Sequence, residues 1–437
     1  MITISTPWTE EHGDLIYIKA KVKIDANDAE KYVQYCQLKE NRREVKYIDD
    51  NYIKDILAYE ELWFSVNKKY EHGICSDRAD AFLVSILHYA MVSNADIYVD
   101  APVTSELVYK IRNEIIPHLC RGKFKKIKID VRNVIEPYRI REKCAATAMS
   151  CGIDSFFTVF LNQYNDTLNE YKIKYFTFFN VGAVNSVFKD NISITRRNEL
   201  MELVSKKKKS QAQEVANRIG EIELVYISSN ISDFYRGMIV NSAHYRNFGA
   251  AMIMQGLWSS YYYSSGGLDI EDIRYDLCDD PAYYEEMLCY WLSNGNINFY
   301  ATGHAFDRFE KTKALVDYDI CREFLTVCDN DENCGQCSKC KRTISTLLSL
   351  NALKYFSGRF DIDKITRKLT YWKIYIISKK KERFFERIYK ESLENGFINY
   401  LEVIVFSPIC FVINMIRKCR IYQIIKYKRF KEKHTLD

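Results

Sequence analysis

The clearest chemical signal in this sequence is a group of four cysteines in the segment VCDNDENCGQCSKCKRT. Two-residue gaps let neighbouring thiolates turn onto one metal ion, and four sulfur atoms complete the tetrahedral shell of zinc. A closed shell leaves no position for a substrate, so we expect a structural Zn²⁺ ion. Free cysteines, a redox pair or an iron–sulfur cluster are the alternatives. The predicted ligands are Cys328, Cys334, Cys337 and Cys340.

A second candidate site is the run S-C-G-I-D-S, which follows a short apolar segment and precedes an apolar helix start. Small residues let backbone N–H groups approach an anion, and a helix N-terminus adds positive potential. Ser150 and Ser155 could donate hydrogen bonds to phosphate oxygens, and Asp154 could cap the helix or help hold Mg²⁺. The run lacks the lysine of a GxxxxGK[ST] loop. A Ser/Asp helix cap without a ligand is the alternative.

This run resembles the S-G-G-x-D-S signature of the PP-loop ATP pyrophosphatases. The matching residues are Ser150, Gly152, Asp154 and Ser155, whereas Cys151 stands where that family has a glycine. The resemblance implies that the whole loop binds ATP. The implied nucleotide-binding residues are Ser150, Cys151, Gly152, Ile153, Asp154 and Ser155, together with Asn180 after the second strand, which would line the adenine pocket.

The loop and the cysteine group together resemble the 7-cyano-7-deazaguanine synthase (QueC-like) branch of that superfamily, over residues 140 to 350. GHAFDRFEKTKAL resembles the R-x-E-K segment of such proteins and places Arg308, Glu310 and Lys311. NCGQCSKCKRT resembles their zinc knot with its following Arg342 and Thr343. The extra residues before 140 and the basic tail depart from the compact synthase. We therefore expect a paralogue that acts on another carboxylate or amide.

The resemblance implies an adenylate-forming ligase. ATP with Mg²⁺ would activate a carboxylate or carbonyl oxygen, release pyrophosphate and let a nucleophile form an amide, nitrile or related bond on a small-molecule or carrier-bound substrate. Asp154, Arg308 and Lys311 are the predicted catalytic residues, the last two as partners of pyrophosphate or an acidic substrate. A solvated surface pair with Glu310 is the alternative reading of these two cations. The rival functions are tRNA modification and a degenerate nucleotide-binding scaffold, which Cys151 would favour.

Weaker candidates come from strand ends and single residues. Ser264, Ser265 and Gly266 could face a substrate, and His244 and His304 could serve as general acid or base. Packed or ordinary turn residues are the alternative for all five. Cys151 could be a reactive thiol if the helix end lowers its pKa.

The elements that must position these residues alternate between strand and helix from about residue 144 to 320. This alternation favours a doubly wound parallel sheet, and the resemblance implies an adenine nucleotide alpha hydrolase-like fold. In such sheets ligands lie beyond the carboxyl ends of the strands. The predicted strands are 144–149, 171–179, 224–229 and 261–265, and the predicted helices are 154–163, 195–218 and 245–259.

An α/β domain is predicted over residues 1–140, the ATP-binding domain with its zinc knot over 141–350, and a basic helical region over 351–437. The first of these has predicted strands at 14–24, 97–99 and 126–131 and predicted helices at 53–66, 78–93 and 104–117.

The C-terminal region carries 20 Lys/Arg against 9 Asp/Glu, whereas the first 350 residues carry 43 against 49. Its most apolar stretch, Leu401–Ile416, is short for a membrane span, so we expect no transmembrane helix. A buried helix pair broken at Pro408 is expected. The alternative is an interfacial helix, flanked by basic residues, that contacts a membrane or a protein. The flanking residues are Arg417, Lys418, Arg420 and the basic cluster 426–433.

The remaining expectations concern compartment and partners. The N-terminus lacks the pattern of a secretory signal, and 14 cysteines in such a chain favour a reducing compartment, so we expect a cytoplasmic protein. Runs of lysine at 206–209 and 379–381 could touch nucleic acid, although charge runs are usually solvated faces, and RNA binding is not favoured. A homo-oligomer is expected.

Overall fold

The strands of the computed structural model are short and extend from residue 2 to residue 302. The structure describes residues 1–38, 51–122, 124–138, 143–164, 168–182, 194–236, 238, 240–266, 273–274, 280–328 and 332–419. The strands are β1 (Ile2–Ser5), β2 (Trp8–His12), β3 (Leu15–Ile24), β4 (Glu61–Asn67), β5 (Ile97–Thr104), β6 (Ile129–Ile135), β7 (Ala145–Ala148), β8 (Ile173–Asn180), β9 (Glu223–Ser229), β10 (Ser260–Ser264) and β11 (Asn298–Thr302).

The α-helices lie between the strands and continue alone after residue 302. They are α1 (Ala26–Leu38), α2 (Tyr52–Ala58), α3 (Asp80–Ser93), α4 (Ser105–Lys110), α5 (Ile116–Cys120), α6 (Ile153–Tyr164), α7 (Ile194–Ile219), α8 (Ile231–Phe234), α9 (Ala243–Ile253), α10 (Glu285–Leu292), α11 (Arg308–Ala314), α12 (Asp319–Phe324), α13 (Ser338–Ser349), α14 (Ile362–Thr366), α15 (Leu369–Lys379), α16 (Arg383–Glu394) and α17 (Tyr400–Lys418).

The eleven strands form one mostly parallel sheet, in the order β11-β10-β7-β8-β9-β4-β3-β1-β5-β6, with β2 beside β3. Strands β7 to β11 are all parallel to their neighbours within this set. The chain runs outward from β7 to β8 and β9, and then returns to β10 and β11 on the other side of β7. The order therefore reverses at β7, and loops that follow strands at such a reversal are the usual ligand sites of open α/β sheets. The predicted α/β class with a mostly parallel sheet is confirmed.

The chain divides into two compact units. The first comprises residues 1–149, 162–186 and 221–304 and contains the whole sheet; the second comprises 150–161, 187–220 and 305–437. Strands before and after residue 140 share the sheet, because β4 pairs antiparallel with β9. The three-part division at residues 140 and 350 stays a prediction.

In the first unit, burial and strand pairing differ in places from what the local sequence patterns predict. Every residue of α3 is buried, including Asp80 and His88, so the whole helix and not only its apolar face belongs to the core. The helix predicted at 53–66 is wrong in its second half, because Glu61–Asn67 is a strand that pairs with both β3 and β9. A short apolar run fits either element, and pairing with these two strands decides the outcome. Strand β11 was not predicted at all.

In the second unit, α15, α16 and α17 pack around a small core that includes Phe385, Ile388 and Cys410. Helix α17 is continuous through Pro408, so the predicted buried helix pair broken at this proline is wrong. Cys410 is its only buried residue. Among the described residues, α17 is also the one helix whose length and composition would suffice to cross a membrane. It has 19 residues and is therefore longer than the apolar stretch Leu401–Ile416 predicted from sequence. Arg420 and the basic cluster 426–433 lie outside the described residues.

Candidate metal centre and loop site

The four predicted zinc ligands lie together in the second unit, with all their Sγ atoms within 4.8 Å of one another. Cys328 Sγ lies 3.8 Å from Cys337 Sγ, and Cys334 Sγ lies 3.9 Å from Cys340 Sγ. A tetrahedral ion with metal–sulfur bonds of about 2.3 Å separates its sulfur atoms by about 3.8 Å. The four cysteines therefore have the number, chemistry and spacing to hold one zinc ion.

The local sequence explains how the cysteines converge. Gly335 adopts a φ of +67°, which a residue without a side chain adopts at little cost, and so reverses the chain after Cys334. Cys334 Sγ then accepts a hydrogen bond of 3.3 Å from the Cys337 backbone N–H, and Cys337 Sγ accepts one of 3.4 Å from that of Cys340. Such N–H···S bonds favour the thiolate form that metal binding requires. Cys337 also caps α13, so the cluster fixes the start of that helix.

A hydrogen-bonded segment connects the cysteine cluster to the loop at residues 150–155. The Asn333 side chain bonds the backbone of Val327 and Leu325, both at 2.8 Å. In the same segment, the Thr326 backbone N–H donates to the Cys151 carbonyl at 2.7 Å. Arg359, which sequence reasoning missed, donates to Thr326 Oγ1 at 2.6 Å. The cysteine cluster therefore holds the segment against which the loop is fixed.

The loop itself follows β7 directly in the chain and leads into α6. The Ser150 and Ser155 hydroxyl oxygens lie 3.2 Å apart, and Ser155 Oγ also lies 3.1 Å from the backbone nitrogen of Gly152. Phe156 begins the helical bonding by donating to the Gly152 carbonyl at 3.0 Å. Backbone N–H groups and two hydroxyl groups thus converge at the N-terminus of a twelve-residue helix, the kind of place where anions bind.

Cys151 takes the conformation that glycine usually supplies. Its φ is +58°, in the left-handed region, and its side chain is 1% exposed. Burial raises the pKa of the thiol to about 12, although Lys208 and Arg359 oppose the shift. The prediction of a thiol with a lowered pKa is therefore wrong, because the effect of burial exceeds that of Lys208 and Arg359. Cys151 therefore has a positive φ that glycine would adopt at lower cost.

The three predicted catalytic side chains meet at the start of α6. Asp154 Oδ2 lies 2.7 Å from Arg308 Nη2, and Asp154 Oδ1 lies 3.5 Å from Lys311 Nζ. Lys311 is 3% exposed, which is unusual for a lysine and requires a partner of opposite charge. Burial raises the pKa of the Asp154 carboxyl, while the cations Arg308, Lys311 and Arg342 oppose that shift. Asp154 is thus an ionisable group in a place that solvates it poorly.

Arg342 makes this cluster electropositive. Burial and the neighbouring Arg308 lower the pKa of its guanidinium to about 10, while Asp154 raises it. A lowered pKa in an arginine means that the surroundings disfavour its positive charge. Three cations therefore surround one carboxylate, and a bound anion would relieve their repulsion. Sequence reasoning had linked Arg342 only to the zinc knot.

The acidic residue of the R-x-E-K segment has a different partner from the one considered. Glu310 closes a capping box with Asp307 at the start of α11. Arg387, which the sequence did not single out, lies 2.8 Å from Asp307 Oδ2 and 2.9 Å from Glu310 Oε1. The alternative of a surface pair between Glu310 and the two cations is therefore wrong: Arg308 and Lys311 face Asp154, and Glu310 fixes their helix.

The other candidates belong to the first unit. Asn180 ends β8, and its side-chain amide lies 3.2 Å from Ser228 Oγ. Ser265 is buried and bonds the backbone of Thr302. His244 Nε2 lies 2.8 Å from Glu285 Oε2. Their functional roles stay predictions.

The remaining candidates of the first unit occupy the ends of β10 and β11. Ser264 is the last residue of β10, and Gly266 lies two residues beyond it. His304 follows β11, with Nδ1 2.8 Å from the Ala301 carbonyl. These places are strand ends, as expected, and no ligand role follows from them alone.

The two lysine runs belong to the second unit, one within a helix and one at the end of another. Residues 206–209 belong to α7, whereas Lys379 ends α15 and forms an ion pair with Glu382. RNA binding stays a prediction.

No protein family, curated protein or solved structure matches this chain.

Proposed function

We propose that this chain binds ATP at the loop formed by residues 150–155 and uses it to adenylate a carboxylate or carbonyl oxygen, with release of pyrophosphate. The observation that carries the proposal is the cluster of Arg308, Lys311 and Arg342 around Asp154 at the start of α6. The loop follows β7, the strand at which the sheet order reverses, and open α/β sheets usually bind ligands at such a place. Its sequence resembles that of PP-loop enzymes of the 7-cyano-7-deazaguanine synthase type.

The residues present fit a polyphosphate. The Gly152 backbone N–H and the Ser150 and Ser155 hydroxyl groups bond one another in this structure and would exchange these bonds for phosphate oxygens, while the helix N-terminus adds its positive end. Beside them, Arg308 and Lys311 are positioned to bind phosphate oxygens by charge-assisted hydrogen bonds. Bound ATP would supply an activated adenylyl group with pyrophosphate as leaving group. The contribution of the chain is to orient the reacting groups and to stabilise the negative charge on pyrophosphate.

Asp154 fits a different task, that of a magnesium ligand. Carboxylates and phosphate oxygens are the ligands that Mg²⁺ prefers. Because burial disfavours the ionised form of Asp154, a divalent cation beside it would offset a cost that the ligand-free loop carries. Asp154 would then exchange its contacts with Arg308 and Lys311 for the metal ion and leave both cations to the phosphates.

The cysteine cluster has a supporting role in this proposal. Its four sulfur atoms would close the shell of a zinc ion and leave no position for substrate. The ion would fix the segment that bonds the Cys151 carbonyl and the start of α13, the helix that carries Arg342. Zinc would therefore act on ATP binding through the position of these two residues.

The test is calorimetry of ATP with Mg²⁺ on the zinc-loaded protein and on two variants of α11. Lys311→Gln removes the buried cation beside Asp154, whereas Lys313→Gln removes an exposed lysine two residues away. One charge-assisted hydrogen bond contributes about 1.5–3 kcal/mol, so the Lys311 variant should bind ATP about ten- to a hundredfold more weakly. The Lys313 variant should match the wild type.

Turnover then separates an enzyme from a nucleotide-binding scaffold. Pyrophosphate release would be followed with a set of carboxylates and an ammonia source, again in wild type and the Lys311 variant. A folded, zinc-loaded wild type that binds no ATP would refute the proposal at its first step. Tight ATP binding without pyrophosphate release on any substrate would instead favour the scaffold. Salt-sensitive retention of RNA would favour tRNA modification.

A further inference from the structure

Helix α17 presents an apolar surface outside the site described above. Six of its large apolar side chains are more than half exposed. Monomeric soluble proteins rarely expose contiguous apolar patches of this kind, and such a patch usually marks a contact with a membrane or another protein. The six residues are Leu401, Ile404, Val405, Phe411, Val412 and Met415.

Contacts with α15 decide how this helix can meet a membrane. Near its start, Glu402 Oε1 lies 2.5 Å from Lys373 Nζ, and near its end Asn414 Nδ2 donates to the Ser378 carbonyl at 3.0 Å. One face of α17 is therefore held along α15 over most of its length. Helix α15 has eleven residues and is too short to span a bilayer of about 30 Å. The arrangement suits a helix that lies along a surface rather than one that crosses it.

Positive charge collects at one end of the apolar face. Arg417 Nη1 lies 3.0 Å from Ser378 Oγ, so the end of α17 adjoins the end of α15. Lys380 and Lys381 follow in the chain directly after α15, and Lys418 is exposed at the last position of α17. The nearby Glu382 is already paired with Lys379. We call these residues (Lys380, Lys381, Arg417 and Lys418) the basic cluster of α17; it is distinct from the basic cluster 426–433.

We propose that α17 docks onto an anionic lipid membrane, lying in the interface with its exposed apolar face among the acyl chains. The basic cluster of α17 binds the phosphates and carboxylates of the lipid headgroups, as interfacial helices with flanking lysine and arginine do. Charge favours this occupant over a second copy of the chain. Glu402 is the single acidic residue of α17 and is held by Lys373, so the same helix of another copy offers the cluster no available carboxylate.

The experiment is cosedimentation of the full-length protein with phosphatidylcholine vesicles, with and without phosphatidylserine. Wild type should bind the serine-containing vesicles at least about tenfold more tightly than the pure phosphatidylcholine vesicles. The double variant Val405→Asp/Phe411→Asp changes two exposed positions and should lose about tenfold or more in affinity. Tyr109→Asp, at an exposed residue of the first unit, is the matched control and should bind as wild type does.

A second pair of variants tests the electrostatic part. Lys381→Gln/Lys418→Gln should lower affinity for phosphatidylserine vesicles about tenfold, whereas Lys206→Gln/Lys313→Gln, which also removes two exposed lysines, should not. Equal binding to both vesicle types would overturn the proposal. The proposal would also be overturned if the wild type bound no vesicles and formed an oligomer that the Val405→Asp/Phe411→Asp variant did not form. A second copy of the chain would then cover the apolar face. A thermal transition at the wild-type temperature shows that each variant is folded.

Discussion

Replacement of Cys340 by serine is the sharpest perturbation of the metal centre. Cys340 is fully buried and contributes one of the four sulfur atoms. Serine keeps the size of the side chain but replaces a thiolate by a hydroxyl group, which is a poor ligand for zinc. We expect the variant, with three sulfur ligands instead of four, to bind zinc about a thousandfold more weakly than the wild type.

The loss of stability follows from the linkage between binding and folding. A ligand that binds only the folded state at a thousand times its dissociation constant stabilises it by about 4 kcal/mol. In a zinc buffer set to that level, the wild type should retain this contribution and the Cys340 variant should lose nearly all of it. For a folding unit of about 150–250 residues, a change of 1 kcal/mol in the free energy of unfolding changes Tm by about 2–4 °C, so the expected decrease in Tm is about 8–16 °C.

The assay is thermal unfolding at several buffered zinc concentrations, with the zinc content measured on the same sample. Two control variants separate zinc loss from other effects. Cys419→Ser changes an exposed cysteine and should alter the free energy of unfolding by no more than about 0.5 kcal/mol. Cys321→Ser changes a buried cysteine outside the cluster and should lower Tm while keeping the dependence of Tm on zinc.

The refuting results are specific. A wild type whose Tm does not respond to zinc, or a Cys340 variant that responds as the Cys321 variant does, would show that the cluster holds no stabilising ion. A loss of ATP binding that accompanies zinc removal, in protein that is still folded at the assay temperature, would support the connection from the cluster to the Cys151 carbonyl.

The other predictions concern the loop. Cys151→Gly removes the cost of about 1–2 kcal/mol that a non-glycine residue has in the left-handed conformation, but it also removes a buried side chain and makes the unfolded chain more flexible. Tm should therefore stay within a few degrees, and calorimetry should show equal or tighter ATP binding. Abolished binding would contradict the proposed loop. Because burial raises the pKa of the Cys151 thiol to about 12, iodoacetamide at pH 8 should label the exposed Cys419 and leave Cys151 unmodified in the native protein, which peptide mass spectrometry would show. Arg342→Gln should raise the Tm of the ligand-free protein and weaken pyrophosphate binding about tenfold. In the wild type, the pKa of folded Arg342 is about 10, below the ordinary 12.5, so the charged arginine destabilises the folded state. This destabilisation is fully present below pH 10 and disappears as the pH rises from 10 to 12.5. An Arg342 variant that is less stable than the wild type at pH 7 would contradict this sign.

Much of the architecture could be read from local patterns. The alternation of strand and helix after residue 144 predicted β7 to β10 and the helices α6, α7 and α9, because periodicity and element length are properties of the chain itself. Local patterns did not predict β1, β2 or β11, and they predicted a helix where β4 lies. The run Glu61–Asn67 becomes a strand through pairing with β3 and β9, which are 37 and 156 residues away at the nearest ends. No local pattern carries that information.

The sequence by itself determined the chemistry that is available: four cysteines at the spacing of a metal knot, a serine- and glycine-containing run before a helix, and a basic C-terminal region. Spacing decides the first two, because two-residue gaps and helix starts are local geometry, and composition decides the third. Only the tertiary structure decided which groups meet. It brought Arg308, Lys311 and Arg342 around Asp154, turned Glu310 away to cap its helix, buried the Cys151 thiol and left α17 exposed. Burial and long-range pairing set these outcomes, since both depend on residues far apart in the chain.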